Sequence, residues 1–271
     1  MTARFRSRSP ILARVTITTL LALTSMQGQN ASPGSMAGSR IIAPAPSHTF
    51  PDGQRLIFLV EWHRLNAGTA TMLLGKSERA EHLLSTADSA GFVNKIFPVH
   101  DTFQADIDPR TFCTTQIAKH NEEGSRRLDR KIYFDYSQLK SKVDDNDLKS
   151  GKRKHAEFDI PVCVTDVVSG FFYVGSLNLL PGYTQTFPVN DGGKTTDVQL
   201  QVEAREQVKV PAGTFSAIRV RGEPINGSLK GTIWVWFSDD GRRIPVQMKS
   251  KLGFATLMFQ LQRIETPTGA K

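Results

Sequence analysis

The side chains of this sequence that are able to do chemistry are its histidines, cysteines and clustered carboxylates. No two histidines stand in an HExxH or HxH pattern, the spacings that bring two imidazoles to one metal ion. A zinc site would need ligands from distant parts of the chain, so we predict no metal site and no cofactor. The six histidines are His48, His63, His82, His100, His120 and His155.

Two clusters of aspartates raise the question of acid–base catalysis. They lie within Asp101–Asp108 and Asp144–Asp147. Paired carboxylates catalyse hydrolysis when their environments separate their pKa values. Both clusters fall at polar turns, where a carboxylate ordinarily caps backbone N–H groups in solvent. Ser169 lacks the GxSxG pattern of a nucleophile elbow, and we therefore predict no catalytic residue.

The first 31 residues resemble a secretory signal peptide. Four arginines lie between Arg4 and Arg14 without any acidic residue, and the apolar stretch Val15–Leu23 that follows is too short to span a bilayer. We predict a Sec-type signal over residues 1–31 and a periplasmic or extracellular location; a basic tail that stays on the chain is the alternative. No later segment is apolar enough to cross a membrane, so we expect no integral membrane protein after signal removal.

The charge balance does not favour nucleic-acid binding. The chain of 271 residues has a net charge of +8, and removal of the four arginines in the signal leaves +4. Nucleic-acid binders concentrate basic residues on one face or in one run. The nearest candidates fit the solvated faces of hairpins, and we expect no nucleic-acid partner. They are Arg126-Arg127, Arg130-Lys131 and Lys149–His155.

If the chain is exported, its two cysteines can form a disulfide bond. Cys113 and Cys163 are the only pair, and an even number in an exported chain predicts a disulfide. Such a bond would close a loop of about 50 residues and contribute about 4 kcal/mol on the chain-entropy model. Two free buried cysteines are the alternative, and the spacing is not the CxxC of a redox motif.

The sequence pattern predicts that β-hairpins position these residues. Polar and apolar residues alternate over about a dozen short segments, separated by turns such as Asn190–Gly193, and no βαβ alternation appears. We predict an all-β, mainly antiparallel fold: a curved sheet or half-open β-barrel with one short central helix, Thr165–Leu177. The predicted organisation is a signal peptide (1–31), a flexible linker (32–51), a single β domain (52–265) and a tail (266–271).

Aromatic residues are the strongest hint of a binding function. Three crowd the central helix and three lie on predicted strands, where a curled sheet would turn them toward an apolar cavity. The alternative is that they fill the core. The six residues predicted to line a ligand site are Trp62, Phe171, Phe172, Tyr173, Trp234 and Trp236.

The order and spacing of several segments are similar to those of an exported bacterial family, domain of unknown function 3108. The resemblance runs from about Asp52 to Ile264 and implies a β protein of the cell envelope. It brings no established activity and no catalytic residues. The segments that carry it are GQRLIFLVEW (53–62), GTATM (68–72), FCTTQIAKHNEEGSRRLDRKIYFDY (112–136), DVVSGFFYV (166–174), TFPVNDGGK (186–194), VKVPAGTF (208–215) and IWVWFSDDGRRIPVQM (233–248).

Three functional hypotheses follow. The first is a non-enzymatic binder that holds a lipid or another apolar or amphipathic ligand against the concave face of the half-open barrel. The second is a structural or assembly factor whose sheet edges bind an envelope protein by strand addition. The third, a periplasmic hydrolase, ranks last because no catalytic constellation is visible.

Overall fold

The computed structural model describes residues 39–44, 48–50, 52–76, 80–226, 231–252 and 255–266. The predicted signal peptide, the first part of the predicted linker and most of the predicted tail lie outside these ranges. Those assignments stay predictions.

The described residues form fourteen strands and two short helices. The strands are β1 (Arg55–Trp62), β2 (Leu65–Lys76), β3 (Glu81–Ser89), β4 (His100–Ile107), β5 (Thr114–Glu123), β6 (Arg126–Asp135), β7 (Lys140–Asp147), β8 (Arg153–Asp159), β9 (Thr184–Val189), β10 (Thr196–Val210), β11 (Gly213–Pro224), β12 (Thr232–Ser238), β13 (Pro245–Leu252) and β14 (Ala255–Glu265). The helices are α1 (Gly91–Ile96) and α2 (Ser169–Gly175).

All fourteen strands belong to one sheet, in the order β8-β7-β6-β5-β4-β3-β2-β1-β14-β13-β12-β11-β10-β9. The first and last strands pair with each other, with Phe58 opposite Leu261, and every neighbouring pair is antiparallel. The two edges of the sheet, β8 and β9, are therefore consecutive in the chain. The predicted all-β, antiparallel, incompletely closed fold is confirmed.

The segment between β8 and β9 crosses from one edge of the sheet to the other. Thr114 at the start of β5 donates its N–H to the carbonyl of Val164 (2.9 Å). Thr165 donates its N–H to Pro188 O of β9 (3.1 Å), and its own carbonyl accepts the N–H of Asn190 (2.9 Å). These hydrogen bonds form a short parallel bridge between the crossing segment and β9.

The central helix is shorter than the predicted Thr165–Leu177. Asp166 lies before it, because its Oδ1 accepts the N–H groups of Val168 (2.9 Å) and Ser169 (2.8 Å) as a cap accepts them. At the other end, a Cβ atom on Gly175 would lie 2.7 Å from the carbonyl oxygen of Arg243. Only glycine therefore allows α2 to approach the loop before β13 this closely.

The core lies on the face of the sheet that α2 covers. Alternate residues of the strands point to this face, as period-2 geometry requires, and those at its centre are almost completely buried. The buried set includes Leu56, Phe58, Leu83, Ile107, Ile117, Ile132, Phe187, Leu200, Phe237, Val246, Met248 and Leu261.

The long hairpin formed by β10 and β11 folds back toward β14. Strand β10 carries a bulge between Val202 and Ala204, and bulges bend the strand that contains them. Beyond the bulge, Ala212 at the hairpin turn donates its N–H to Leu261 O of β14 (2.9 Å). Val208 and Val210 thereby join the same core cluster as Leu261.

Candidate functional site

Two of the aromatic residues predicted to line a ligand site are packed in the core. Phe172 and Tyr173 are 4% and 0% exposed. The Tyr173 ring lies 5.9 Å from the Phe112 ring and 5.1 Å from the Phe187 ring, centroid to centroid. Its hydroxyl accepts the N–H of Ile42 (3.0 Å), and burial raises the pKa of Tyr173 to about 12. These side chains fill the space beneath α2.

The other four predicted residues do not converge on a common cavity. Phe171 is partly buried against the core, and Trp62 contacts His63 at the end of β1, with 5.1 Å between ring centroids. Trp234 and Trp236 alternate with Val235 and Phe237 on β12, and Phe237 contacts α2. The side chains of the two tryptophans therefore point to the other side of β12 from Val235.

On that side of β12, each tryptophan has a polar neighbour. The Trp236 indole N–H donates to Glu206 Oε1 (2.5 Å). The ammonium group of Lys249 lies over the Trp234 ring, 5.5 Å from its centroid. Trp236 is nevertheless only 8% exposed and belongs to the buried core cluster, and Trp234 packs against that cluster half-buried, so both tryptophans have structural roles.

The two clearest depressions among the described residues are open clefts. One, of about 360 Å³, lies at the end of α2 between His48, Ser176 and Arg243; burial lowers the pKa of His48 there. The other, of about 400 Å³, lies beside β8 between Tyr133, Asp144 and Glu157. Their walls include charged side chains, unlike the apolar lining of typical ligand sites.

A buried polar network fastens the crossing segment to β5. The Thr114 hydroxyl donates to Asp166 Oδ2 (2.8 Å), and the Tyr136 hydroxyl donates to Thr114 O (2.5 Å). Burial raises the pKa of the Asp166 carboxyl. Cys113 and Cys163 form a disulfide next to this network. These groups hold the segment in place, which explains their burial without a catalytic role.

Charged side chains on the inner wall are also satisfied by one another. Arg130 makes a two-pronged ion pair with Asp145, with both N···O distances 2.6 Å. Lys119 pairs with Asp191 in the β9–β10 turn. At Gly192 of that turn, a Cβ atom would lie 2.7 Å from Ile132 Cδ1. The turn therefore rests directly on β5 and β6.

Four histidines sit opposite aspartates on neighbouring strands. Each imidazole Nδ1 lies within hydrogen-bonding distance of the facing carboxylate, and the hydrogen bond to Asp129 raises the pKa of His120. The pairs are His82–Asp106, His100–Asp88, His120–Asp129 and His155–Asp144. They are cross-strand pairs that stabilise the sheet; within the described ranges, no three His, Cys, Asp or Glu side chains are placed to hold a metal ion.

The β9 edge of the sheet is covered by the chain itself. Arg40 donates its N–H to Thr186 O (3.1 Å), and the Gln185 side chain donates to Arg40 O (3.0 Å). Farther along, Thr165 binds both Pro188 and Asn190. The described part of the predicted linker is thus hydrogen-bonded to this edge.

The β8 edge has no such cover among the described residues. Six of its seven residues are exposed, and Phe158 is half-buried. Ile160 donates its N–H to Leu139 O (3.0 Å), and Asp147 donates to Lys152 O (2.9 Å), so the backbone groups of even-numbered residues face β7. The N–H and C=O groups of the four odd-numbered residues of β8 face away from the sheet.

This open edge is the candidate functional site, and it was not among the predicted site residues. Charge alone does not mark it, because β8 carries four charges on seven residues and its inner neighbour β7 carries five on eight. No sequence pattern indicates which of fourteen strands ends the sheet, since that depends on the pairing of β1 with β14.

A solved structure shares this type of architecture. A β-barrel-like protein of domain of unknown function DUF1849 from Brucella abortus has a TM-score of 0.57 at 8% identity, covering 85% of this chain and 100% of its own. This likeness shows the fold. An exported protein with a YmcC-like fold from Bacteroides fragilis has a TM-score of 0.37 at 8% identity (81% and 98% covered). A lipoprotein from Parabacteroides distasonis has a TM-score of 0.35 at 9% identity (80% and 97% covered).

The sequence itself decides the family. It matches no curated protein. No helix within the described ranges is long and apolar enough to span a lipid bilayer. The model of the family described as "Protein of unknown function (DUF3108)" matches residues 57–262, which contain nearly the whole sheet. The chain therefore belongs to the DUF3108 family.

Proposed function

We propose that this protein is an exported, non-enzymatic component of the cell envelope that binds a protein chain by strand addition to β8. The observation that carries the proposal is the outward-facing backbone of Arg153, His155, Glu157 and Asp159, which no other described segment pairs, on a strand already held in extended form by β7. Strand addition uses such groups for affinity and the alternating side chains for specificity.

The packed interior makes this second hypothesis stronger than the first. A carrier of an apolar ligand needs room against the concave face, and there Phe172, Tyr173 and Phe187 are at most 4% exposed. To admit an acyl chain, α2 would have to move away from β12 and from the loop before β13. Its anchors, the Cys113–Cys163 bond and the Asp166–Thr114 hydrogen bond, oppose that movement.

Export is supported by two separate features. The arginine-rich, then apolar, N-terminal sequence has the pattern of a Sec-type signal. The Cys113–Cys163 disulfide is a bond that persists in oxidising compartments such as the periplasm.

The proposal is tested by site-specific photo-cross-linking in living cells. A photoreactive amino acid replaces Glu157 on the open edge, and in a matched variant it replaces Lys131, which is exposed on the inner strand β6. Both positions point to the outer face, but only Glu157 has an unpaired backbone. We expect a defined protein adduct from Glu157 and none from Lys131.

Two results would argue against it. Equal labelling from both positions would mean non-specific collisions rather than an edge site. A lipid that stays bound to the purified protein in native mass spectrometry, with no adduct at Glu157, would favour the ligand carrier instead.

A further inference from the structure

The open edge of β8 is complementary to itself. We propose that the chain added to β8 is β8 of a second copy of this protein, paired antiparallel about a twofold axis at Ala156. This inference rests on the proposed function, because it names the partner for the same edge. A twofold interface requires a surface that matches itself, and β8 meets this requirement in both its backbone and its charges.

The backbone groups of two β8 strands can pair with each other. The outward-facing N–H and C=O groups belong to odd-numbered residues, as the hydrogen bonds of Lys152 and Ile160 to β7 establish. With the axis at Ala156, residue 153 lies opposite 159 of the second copy, and 155 lies opposite 157. Every facing pair of odd-numbered residues can then exchange two N–H···O bonds, while Ala156 faces its own copy across a non-hydrogen-bonded position.

The charges fit in the same register. Arg153 lies opposite the second copy's Asp159, and His155 lies opposite the second copy's Glu157, with both pairs repeated by symmetry. Facing opposite charges stabilise an antiparallel pair and facing like charges destabilise it. No like charges face each other here. On the other face, the Lys154 stem would lie along the Phe158 ring of the second copy.

Neighbouring registers fit less well. Moving the axis to Glu157 places that carboxylate opposite its own copy. Moving it to His155 places the two imidazoles opposite each other and leaves Asp159 without Arg153. A shift that pairs odd-numbered with even-numbered residues fails on hydrogen bonding, because the even-numbered groups are already bonded to β7. The register at Ala156 is therefore the one that the charge pattern selects.

The remaining contacts of these side chains are compatible with the pairing. His155 already binds Asp144 on β7, so its imidazole would lie between two carboxylates. Asp159 already pairs with Lys140, so Arg153 of the second copy would add a second cation to that carboxylate. Seven-residue strands give a small interface, and small interfaces are typical of reversible association. We expect a monomer–dimer equilibrium rather than an obligate dimer.

The test uses a cysteine at the proposed axis. Because both native cysteines are bonded to each other, Ala156→Cys adds a free thiol, and across the axis its Cα would lie about 4.5 Å from its copy. We expect mild oxidation to give a disulfide-linked dimer in high yield. Lys154→Cys, on the same edge and face, is the matched control. Its copy would be four residues away along the pair, about 13 Å, and it should not cross-link.

Charge reversal provides a second, reversible measurement. Arg153→Asp places two carboxylates opposite each other twice in the dimer, and we expect dimerisation in analytical ultracentrifugation to weaken about tenfold or more. Lys209→Asp changes the net charge equally at an exposed position of β10 and should leave the equilibrium unchanged.

The outcomes separate this inference from the proposed function. A chain that stays monomeric, with Ala156→Cys no more reactive than Lys154→Cys, overturns the second-copy inference. If Glu157 then still cross-links to another envelope protein in cells, the edge function stands with a different partner. If Glu157 captures nothing, both proposals fail.

Discussion

The two edge strands of this sheet differ in their charge and in whether another part of the chain covers their backbone. Strand β9, with the sequence TQTFPV, has no charged residue, and its edge is covered by Arg40 and by Thr165. Strand β8, with the sequence RKHAEFD, carries four charges and has no cover among the described residues. An edge of neutral and apolar residues needs protein against it, whereas a charged edge stays soluble while its backbone remains available.

The composition of β9 matches its covered state in detail. Phe187 and Val189 are 4% and 6% exposed, so the backbone beside them is largely withdrawn from water and needs partners. Pro188 has no N–H to donate, which is tolerated at a sheet edge, and its carbonyl accepts the N–H of Thr165. Of the two edge strands, β8 is therefore the one whose outward-facing backbone groups have no cover among the described residues.

The largest expected effect comes from releasing the cover of β9. Replacing both Cys113 and Cys163 by serine should lower the free energy of unfolding by about 4 kcal/mol, because the unfolded chain loses a closed loop of about 50 residues. Urea denaturation measures the loss. Hydrogen exchange should also quicken at the amide of Asn190, which bonds to Thr165.

The wild-type protein treated with reductant is the control for that change and should behave like the double variant. A loss below about 1 kcal/mol would mean that the bond does not hold the segment on β9. The exchange of amides in β8 should stay the same in all three samples.

The second effect depends on pH and concerns Asp166. Burial raises its pKa in the folded state above the ordinary value of 3.8, so the folded protein binds this proton more tightly than the unfolded chain. Its contribution to stability is complete below about pH 4 and is lost as the pH rises through the folded pKa. Relative to Asp166→Asn, the wild-type free energy of unfolding should fall by up to about 1.4 kcal/mol per pH unit over that window.

Urea titrations between pH 4 and pH 8 measure this difference. Glu157→Gln on the exposed β8 edge is the matched change and should give a curve parallel to that of the wild type. Parallel curves for Asp166→Asn as well would show that the buried carboxyl does not take up a proton in this range.

A smaller effect is expected at Tyr173. Tyr173→Phe removes the hydroxyl that accepts the N–H of Ile42, and it should cost about 1 kcal/mol, the usual net contribution of one hydrogen bond. Tyr133→Phe, on an exposed residue near β8, should change stability by less than about 0.5 kcal/mol. Equal effects on thermal unfolding would contradict the difference between the covered and open sides.

The smallest expected effect is in amide hydrogen exchange along β8, which is measured without changing the stability of the protein. In dilute protein, amide exchange along β8 should alternate: slow at Lys154, Ala156 and Phe158, which face β7, and fast at the odd-numbered residues. At high concentration the odd-numbered amides should become protected if the second copy adds its strand. Uniformly slow exchange in dilute protein would show that something already covers this edge.

Much of the architecture is predictable from local pattern. Alternation and turn residues predict the strands because side chains on a strand alternate between two faces. The cysteine pair predicts the disulfide that the structure contains. The predicted central helix, Thr165–Leu177, is longer than α2, because Asp166 caps the start of the helix and Gly175, its last residue, packs against Arg243. Only the second of these contacts involves a residue distant in sequence.

The candidate site could not be predicted in the same way. The sequence predicts that aromatic residues line a ligand site, but alternation alone does not say which side of β12 faces α2, and there Phe237 is the residue that contacts the helix. Likewise, β8 is recognisable as a strand but not as an edge. The pairing that makes it an edge joins β1 to β14, some two hundred residues away.

By itself, the sequence determined the strands, their turns, the cysteine pair and the family, because each depends on neighbouring residues or on a linear order of motifs. Only the folded chain decided which strands are edges, which face is the core and which edge stays uncovered. Those properties depend on contacts between distant segments, and no local pattern records which of the many possible pairings buries the most apolar surface while leaving the fewest backbone groups unpaired.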